Sequence, residues 1–170
     1  RRGGALARRA VVHRLDMATS GLMLFARSAA VQRALGDAFA GRRVGKRYHA
    51  VVHGLLAEDS GEIDAPLAAD WPNRPRQRID AEHGRPSLTR WRVIARDVAA
   101  SRTQLELEPL TGRTHQLRVH LASIGHAIVG DALYGECTAS EPRLLLHASS
   151  LAFAHPRDGR ALAINSPAPF

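Results

Sequence analysis

The sequence predicts an α+β domain built on a mixed, mostly antiparallel central sheet flanked by helices. Two runs, Leu88 to Val98 and Thr103 to Leu110, alternate between side-chain types with the period of a strand and are separated only by a short polar turn, the pattern of an antiparallel hairpin. Two other stretches place apolar residues at helical spacing: Val31, Leu35, Ala38 and Phe39 in one, Leu117, Leu121 and Ile124 in the other. Strand-like runs outnumber helical ones and include adjacent antiparallel partners, so the sum is α+β.

In chain order, Gly21 to Ala26 (GLMLFA) is short, apolar and opened by a glycine, and reads as a buried strand. Ser28 is placed to cap a helix running to about Ala40, with Gly41 and Gly45 at its exit. Arg47 to His53 (RYHAVVH) reads as a second strand, followed by a polar loop and a short piece from Glu62 to Ala65. Between Ala69 and Pro86, the breakers Pro72, Pro75, Gly84 and Pro86 alternate with Arg74, Arg76 and Arg78; this reads as an ordered basic excursion without a regular element. In the hairpin, Leu88, Arg90 and Arg92 oppose Thr89, Trp91 and Val93, and Leu105 and Leu107 oppose Glu106 and Glu108. A helix from Thr114 to Ile124 is stopped by Gly125. Two short strands, about Arg143 to Phe153 and Ala161 to Asn165, close the chain. No internal repeat or low-complexity linker divides it, so residues 1–170 are expected to form one domain.

Of the 170 residues, 45% are hydrophobic, and a domain of this length buries roughly 70% of the surface its unfolded chain exposes. No apolar run approaches the roughly 18 residues of a membrane-crossing helix, and the opening Arg1-Arg2-Gly3-Gly4 lacks the apolar stretch of a secretory signal. A soluble, cytoplasmic protein without a membrane partner is expected. The single cysteine, Cys137, has no intramolecular partner, and no paired cysteines offer thiolates to zinc. The net charge is +8, carried by 23 arginines and one lysine, Lys46, against 16 acids. The planar guanidinium suits bidentate phosphate contact and stacking on bases, so a polyanionic partner is expected. Codon bias in a GC-rich genome would explain the arginine-to-lysine ratio but not the net charge.

Three groups of residues carry candidate chemistry. In HRLDMATSG, Asp16 follows the cation Arg14 and precedes Thr19, Ser20 and Gly21, which can bond back to the backbone and hold a sharp loop. An isolated loop aspartate more often caps its own turn. In TGRTHQLRVH, Arg113 stands where a helix opens, a place the helix dipole makes unfavourable for a cation unless an anion is near. Asp16 is the candidate anion. His115 and His120 are five residues apart, off one helical face, and read as packing or hydrogen-bonding residues rather than metal ligands. Tyr48, one of two tyrosines, opens a strand among basic residues; it is placed either to stack on a base or to serve as an ordinary core aromatic.

Together, HRLDMATSGLMLFA, KRYHAVVHG, GRTHQLRVHL and GHAIVGDALYG stand in the order and approximate spacing of RluA-type RNA pseudouridine synthases, and from His13 to Phe170 the sequence resembles that family. DWPNRPRQ (residues 70–77) and the pair Met17-Ala18 resemble the RluA branch itself, which acts on both tRNA and 23S ribosomal RNA. The resemblance implies the pseudouridine synthase catalytic fold. It implies that Asp16 is the essential aspartate, acting at C1′ of uridine or assisting glycal formation while the base detaches, rotates and rejoins through C5. By the same resemblance Tyr48 stacks on the target base and takes part in proton transfer from C5, and Arg113 pairs with the aspartate. Arg14 enters the stack where the base leaves, and Leu146 forms an apolar pocket wall. The implied targets are position 32 of the tRNA anticodon loop and position 746 of 23S ribosomal RNA, each in a stem-loop.

Such a uridine must be flipped out of its loop at a cost of a few kcal/mol, which an inserted side chain such as Arg14 would offset. In a dry pocket, removing Arg113 would strand a buried aspartate at a cost of roughly 3 to 5 kcal/mol. The reaction changes no oxidation state, and no nucleotide loop or metal-ligand set is recognisable, so no cofactor and no metal are expected; the protein is expected to be a monomer. Arg74, Arg76 and Arg78 are expected to contact RNA phosphates. Members of the family begin with a strand and a Lys-Pro-Gly turn upstream of HRLD; with 12 residues before His13, the N-terminal part of the domain is expected to be missing, leaving sheet edge exposed. A hydrolytic glycosidase would need a second carboxylate, for which Asp131 is a candidate. The alternatives are a synthase confined to ribosomal RNA and a non-catalytic RNA-binding or ribosome-assembly factor of the same fold, in which Asp16 and Arg113 would be a structural ion pair.

Overall fold

A computed structural model of the protein describes residues 11–135, 141 and 143–170; Cys137 and the opening Arg1-Arg2-Gly3-Gly4 lie outside them. The described residues form strands β1 (Ser20–Gly21), β2 (Gly45–His53), β3 (Ser60–Asp64), β4 (Leu67–Ala69), β5 (Gln77–Ile79), β6 (Leu88–Asp97), β7 (Arg102–Pro109), β8 (Leu146–Ala154) and β9 (Ala161–Asn165), with helices α1 (Ala29–Ala40) and α2 (Gln116–Ser123). Seven strands make one sheet in the order β1-β8-β2-β7-β6-β3, with β9 also paired to β8. Only β1 runs parallel to its neighbour; the other pairings are antiparallel. The α+β prediction is met, as is the hairpin, which carries one register shift between Val93 and Ala95.

The core lies in two clusters. The larger gathers Ala50 and Val52 of β2, Trp91, Leu105 and Leu107 of the hairpin, Leu117 and Leu121 of α2, and Leu146. The smaller packs Leu35 of α1, with Val31, Ala38 and Phe39, against Leu151 and Phe153 of β8. A register shift against β2 between Arg47 and Tyr48 breaks the alternation along β8, so that Leu146, Ala148 and Leu151 lie opposite Ala50, Tyr48 and Lys46, which share one face of β2, and Leu146 and Leu151 face the same side of the sheet. Ser28 caps α1 as its chemistry predicts, its hydroxyl accepting from the Val31 amide at 3.3 Å.

Three expectations are corrected. The strand over Gly21 to Ala26 shrinks to Ser20–Gly21. Gly21 has φ +111° and lies so close to β8 that a Cβ would stand 2.4 Å from the Ala148 carbonyl oxygen. Beyond it the chain leaves the sheet: the Leu24 amide bonds to the His13 ring at 2.9 Å, Phe25 forms an isolated antiparallel bridge with Val11, and of the segment only Ala26 is buried.

The excursion after Ala69 does contain regular structure, a ribbon in which β4 and β5 pair from Leu67 with Ile79 to Ala69 with Gln77. Its prolines occupy the turn, Pro72 inside a 3-10 turn (Trp71–Asn73) and Pro75 beyond it, where no ladder N–H is lost. Helix α2 starts at Gln116 rather than Thr114, because His115 adopts a left-handed backbone at φ 54°. Its Leu117 and Leu121 are buried, but Ile124 is exposed.

Candidate active site

Register brings distant segments together. Gly21 lies opposite Ala148, Ala148 opposite Tyr48, and Tyr48 opposite Leu107, giving one row across β1, β8, β2 and β7. Immediately before this row is the HRLD loop, and immediately after β7 is the Thr111–Gln116 turn. A cavity of about 560 Å³ opens between them; its walls include Arg14, Asp16, Tyr48, Arg113 and Leu146.

The loop holding Asp16 is pinned at both ends. At the near end, the His13 ring accepts the Leu24 amide through Nε2 and stacks on Phe39 of α1 with centroids 4.5 Å apart. Burial holds the His13 pKa below its usual value, consistent with a neutral ring accepting that bond. At the far end, Ser20 Oγ lies 2.9 Å from His147 Nδ1, and the intervening turn closes with the Thr19 amide on the Asp16 carbonyl at 2.9 Å. Asp16 is half-buried, Arg14 and Met17 are exposed, and the carboxylate is thus presented on a short tethered turn.

Opposite it, Tyr48 is half-buried on β2, and burial together with the negative charge of Asp16 pushes its pKa up to about 12. Leu146, 2% exposed, forms apolar wall at the start of β8. Lys46, two positions before Tyr48 and therefore on the same face of β2, donates to the Thr111 carbonyl at 3.1 Å. Burial, then the neighbouring charge of Arg42, holds the Lys46 pKa below its usual value.

Arg113 is held by a buried polar clamp. Gln116 accepts from the Arg113 amide at 3.0 Å and from Thr111 Oγ1 at 2.7 Å, and donates to Leu88 O and Thr89 Oγ1, each at 3.0 Å. The Arg113 guanidinium donates to the Pro86 carbonyl at 3.3 Å. Arg113 and Asp16 share the cavity, but no ion pair within 4.0 Å joins them. The expected paired geometry is therefore corrected: Arg113 stands three residues ahead of α2, its backbone set by Gln116 and its side chain drawn to Pro86. Both Asp16 and Arg113 remain partly exposed, so the predicted stranded-charge cost falls away. Arg113→Ala is expected to change stability by less than about 1 kcal/mol in thermal denaturation.

Arg74, Arg76 and Arg78 lie outside the cavity, exposed on the ribbon. Arg74 covers the Trp71 ring at 3.4 Å, Arg76 lies 5.4 Å over the Tyr134 ring, and Arg78 pairs with Asp80 at 2.8 Å. Asp131 is not part of the cavity wall; it is 1% exposed and bound by Arg118 through two contacts of 2.8 and 2.6 Å. Glu108 is the carboxylate that accompanies Asp16 in the wall. His120, fully buried, bonds to Thr89 and the Ala65 carbonyl, and His115 lies 2.7 Å from the Tyr134 hydroxyl, in keeping with packing and hydrogen-bonding roles. Among the described residues no group of three His, Cys, Asp or Glu is placed to hold a metal, and no helix is long and apolar enough to cross a membrane.

Sequence reasoning missed Lys46, Gln116, Glu108 and the Arg118–Asp131 pair. Lys46 was detectable as the lone lysine in phase with Tyr48, and Glu108 as the last acid of its strand. Nothing local in the sequence joins Arg118 to Asp131.

Comparisons with known proteins identify the family and the fold. The family model described as RNA pseudouridylate synthase matches residues 2–123. A dual-specificity RNA pseudouridine synthase RluA of Pasteurella multocida is 48% identical over 160 residues, covering 93% of this chain and 73% of the relative. That of Vibrio cholerae is 51% identical over 149 residues, covering 86% of this chain and 60% of the relative. Among solved structures, human RNA pseudouridylate synthase domain containing 1 superposes with a TM-score of 0.82 at 34% identity, covering 94% of this chain and 69% of that one. With a matching model over more than half its length and relatives near half identity, the chain belongs to the RNA pseudouridylate synthase family, isomerases that convert uridine in RNA to pseudouridine.

Proposed function

We propose that this chain isomerises loop uridines in both tRNA and ribosomal RNA, with position 32 of the anticodon loop and position 746 of 23S RNA as its targets, and that Asp16 carries the chemistry at the ribose. The observation that carries this reading is the convergence of Asp16, Tyr48, Arg113, Arg14 and Leu146 on one cavity. The near half-identity to dual-specificity relatives supports the double substrate. The same reading has the protein act as a monomer in the cytoplasm.

In this reading the N1–C1′ bond breaks, the uracil turns, a C5–C1′ bond forms, C5 gives up its proton and N1 gains one. No atom is gained or lost overall. Asp16 acts on the ribose while the base is detached. Arg14, exposed at the rim, fills the place the flipped base leaves and offsets part of the few kcal/mol of unstacking. Arg113 and Lys46 bring positive charge to a cavity that receives a phosphodiester, and Leu146 keeps its wall apolar. On the ribbon, Arg74, Arg76 and Arg78 contact phosphates; a guanidinium whose face is stacked still offers its edge.

Tyr48, with its pKa near 12, is a neutral phenol at neutral pH and meets the uracil as a stacking ring. Proton transfer through its oxygen requires an acceptor for the phenolic proton, and Asp16 is the anion whose charge it feels. Tyr48→Phe is expected to retain RNA binding while slowing release of the C5 proton by roughly 10²-fold or more, read as single-turnover tritium release.

The substrate is tested with tRNA and 23S stem-loop transcripts carrying tritium at uridine C5. Release from both supports the dual reading. Release from the ribosomal stem-loop alone contradicts it in favour of the narrower enzyme.

A further inference from the structure

Trp71 is 68% exposed, whereas Trp91 is 9% exposed in the core. A bare indole forgoes the large stabilisation that burying an aromatic ring gives, and here it stands on a hydrogen-bonded turn. The turn bearing it is closed by the Asp70 amide on Arg76 O at 3.0 Å, the Asn73 amide on Asp70 O at 3.1 Å and the Arg76 amide on Asn73 O at 3.0 Å. The Asn73 side chain adds a bond to Asp70 Oδ2 at 2.9 Å. Arg74 lies over one face of the ring with its guanidinium carbon 3.4 Å from the centroid.

The ribbon is also tied to the active-site side of the molecule. The Gln77 amide donates to the Tyr134 hydroxyl at 2.7 Å, and that hydroxyl lies 2.7 Å from Nδ1 of His115, two residues after Arg113. A platform on this turn therefore has a fixed relation to the cavity.

We propose that Trp71, backed by Arg74, is a stacking platform for an unpaired nucleobase of the substrate RNA, separate from the uridine that enters the cavity. The inference rests on the RNA-modifying reading above. An aromatic ring interleaved with arginines is the arrangement that takes single-stranded nucleic acid, because every base offers a π-face while the cations meet the backbone. Arg74 orients the indole before RNA arrives, so little ordering remains to be done on binding. A protein partner would instead favour a contiguous apolar patch, and Arg74, Arg76 and Arg78 interrupt one.

The test titrates the protein, Trp71→Phe and Trp71→Ala with an anticodon stem-loop RNA, following tryptophan fluorescence, Kd and tritium release. RNA is expected to quench the wild-type emission and leave Trp71→Phe almost unquenched, since Trp91 is buried. Trp71→Ala is expected to raise Kd and KM about tenfold with kcat little changed and the salt slope of binding intact, since no phosphate contact is lost. Trp71→Phe restores most of the affinity. Bound RNA without quenching, or wild-type affinity in Trp71→Ala, overturns the platform. Tritium release without quenching removes the platform alone. Quenching with affinity loss but no release anywhere removes the catalytic reading alone. Neither signal removes both.

Discussion

Asp16→Asn is expected to lower the rate of pseudouridine formation by roughly a thousandfold or more, the largest effect of any single substitution in this protein. The change is isosteric and removes only the charge and basicity of the carboxylate. Asp16 sits on a turn whose shape comes from its backbone carbonyl, His13 and Ser20 rather than from its side chain. Stability is therefore expected to stay within about 0.5 kcal/mol of wild type. RNA binding is expected to hold or tighten, because a negative charge leaves a cavity that receives a polyanion. Single-turnover rates beside Kd and melting curves separate these effects. A rate loss matched by an equal loss of binding would place Asp16 in recognition rather than chemistry.

The largest expected effect on stability belongs to Asp131, which does not line the cavity. Burial alone would raise its pKa, but the Arg118 guanidinium and the Leu133 and Tyr134 amides outweigh that and hold the carboxyl below the usual range. The side chains of Arg118 and Asp131 are 6% and 0% exposed. Asp131→Ala leaves the arginine charge buried without its anion, at a cost of roughly 3 to 5 kcal/mol, or a melting temperature lower by about 10 °C in a chain of this size. Replacing both partners with apolar residues of similar volume is expected to restore most of the loss. Because the folded pKa is lowered, the pair's contribution is complete above the unfolded carboxylate pKa and fades as pH falls through the lower folded value. A melting temperature of Asp131→Ala within about 2 °C of wild type would show that the charge is relieved by water or local opening.

What the sequence made legible is what short-range chemistry decides. The Ser28 hydroxyl and the spacing of Val31, Leu35 and Phe39 are enough for α1, and alternation alone is enough for the β6–β7 hairpin. The HRLD and GRTHQ segments pointed to Asp16 and Arg113 as residues of one site, and the fold lines one cavity with both. Their separation was not legible, because it depends on Gln116 and Pro86 competing for the Arg113 backbone and side chain. The shortening of β1 depends on its approach to Ala148, far along the chain. The β4–β5 ribbon was hidden by prolines that occupy its turn and leave its ladder intact. Arg118 and Asp131 lie 13 residues apart in a helix and a turn, with no periodicity to link them.

This chain is expected to convert a loop uridine to pseudouridine through Asp16. Nucleoside chromatography of an anticodon stem-loop incubated with wild-type protein, and in parallel with Asp16→Asn, tests it most directly. One new pseudouridine per RNA with the wild type and none with the variant is the predicted result. Folded wild-type protein that binds the RNA yet leaves every uridine unchanged, in this stem-loop and in the 23S one, would contradict it and leave an RNA-binding protein that uses the same fold without its chemistry.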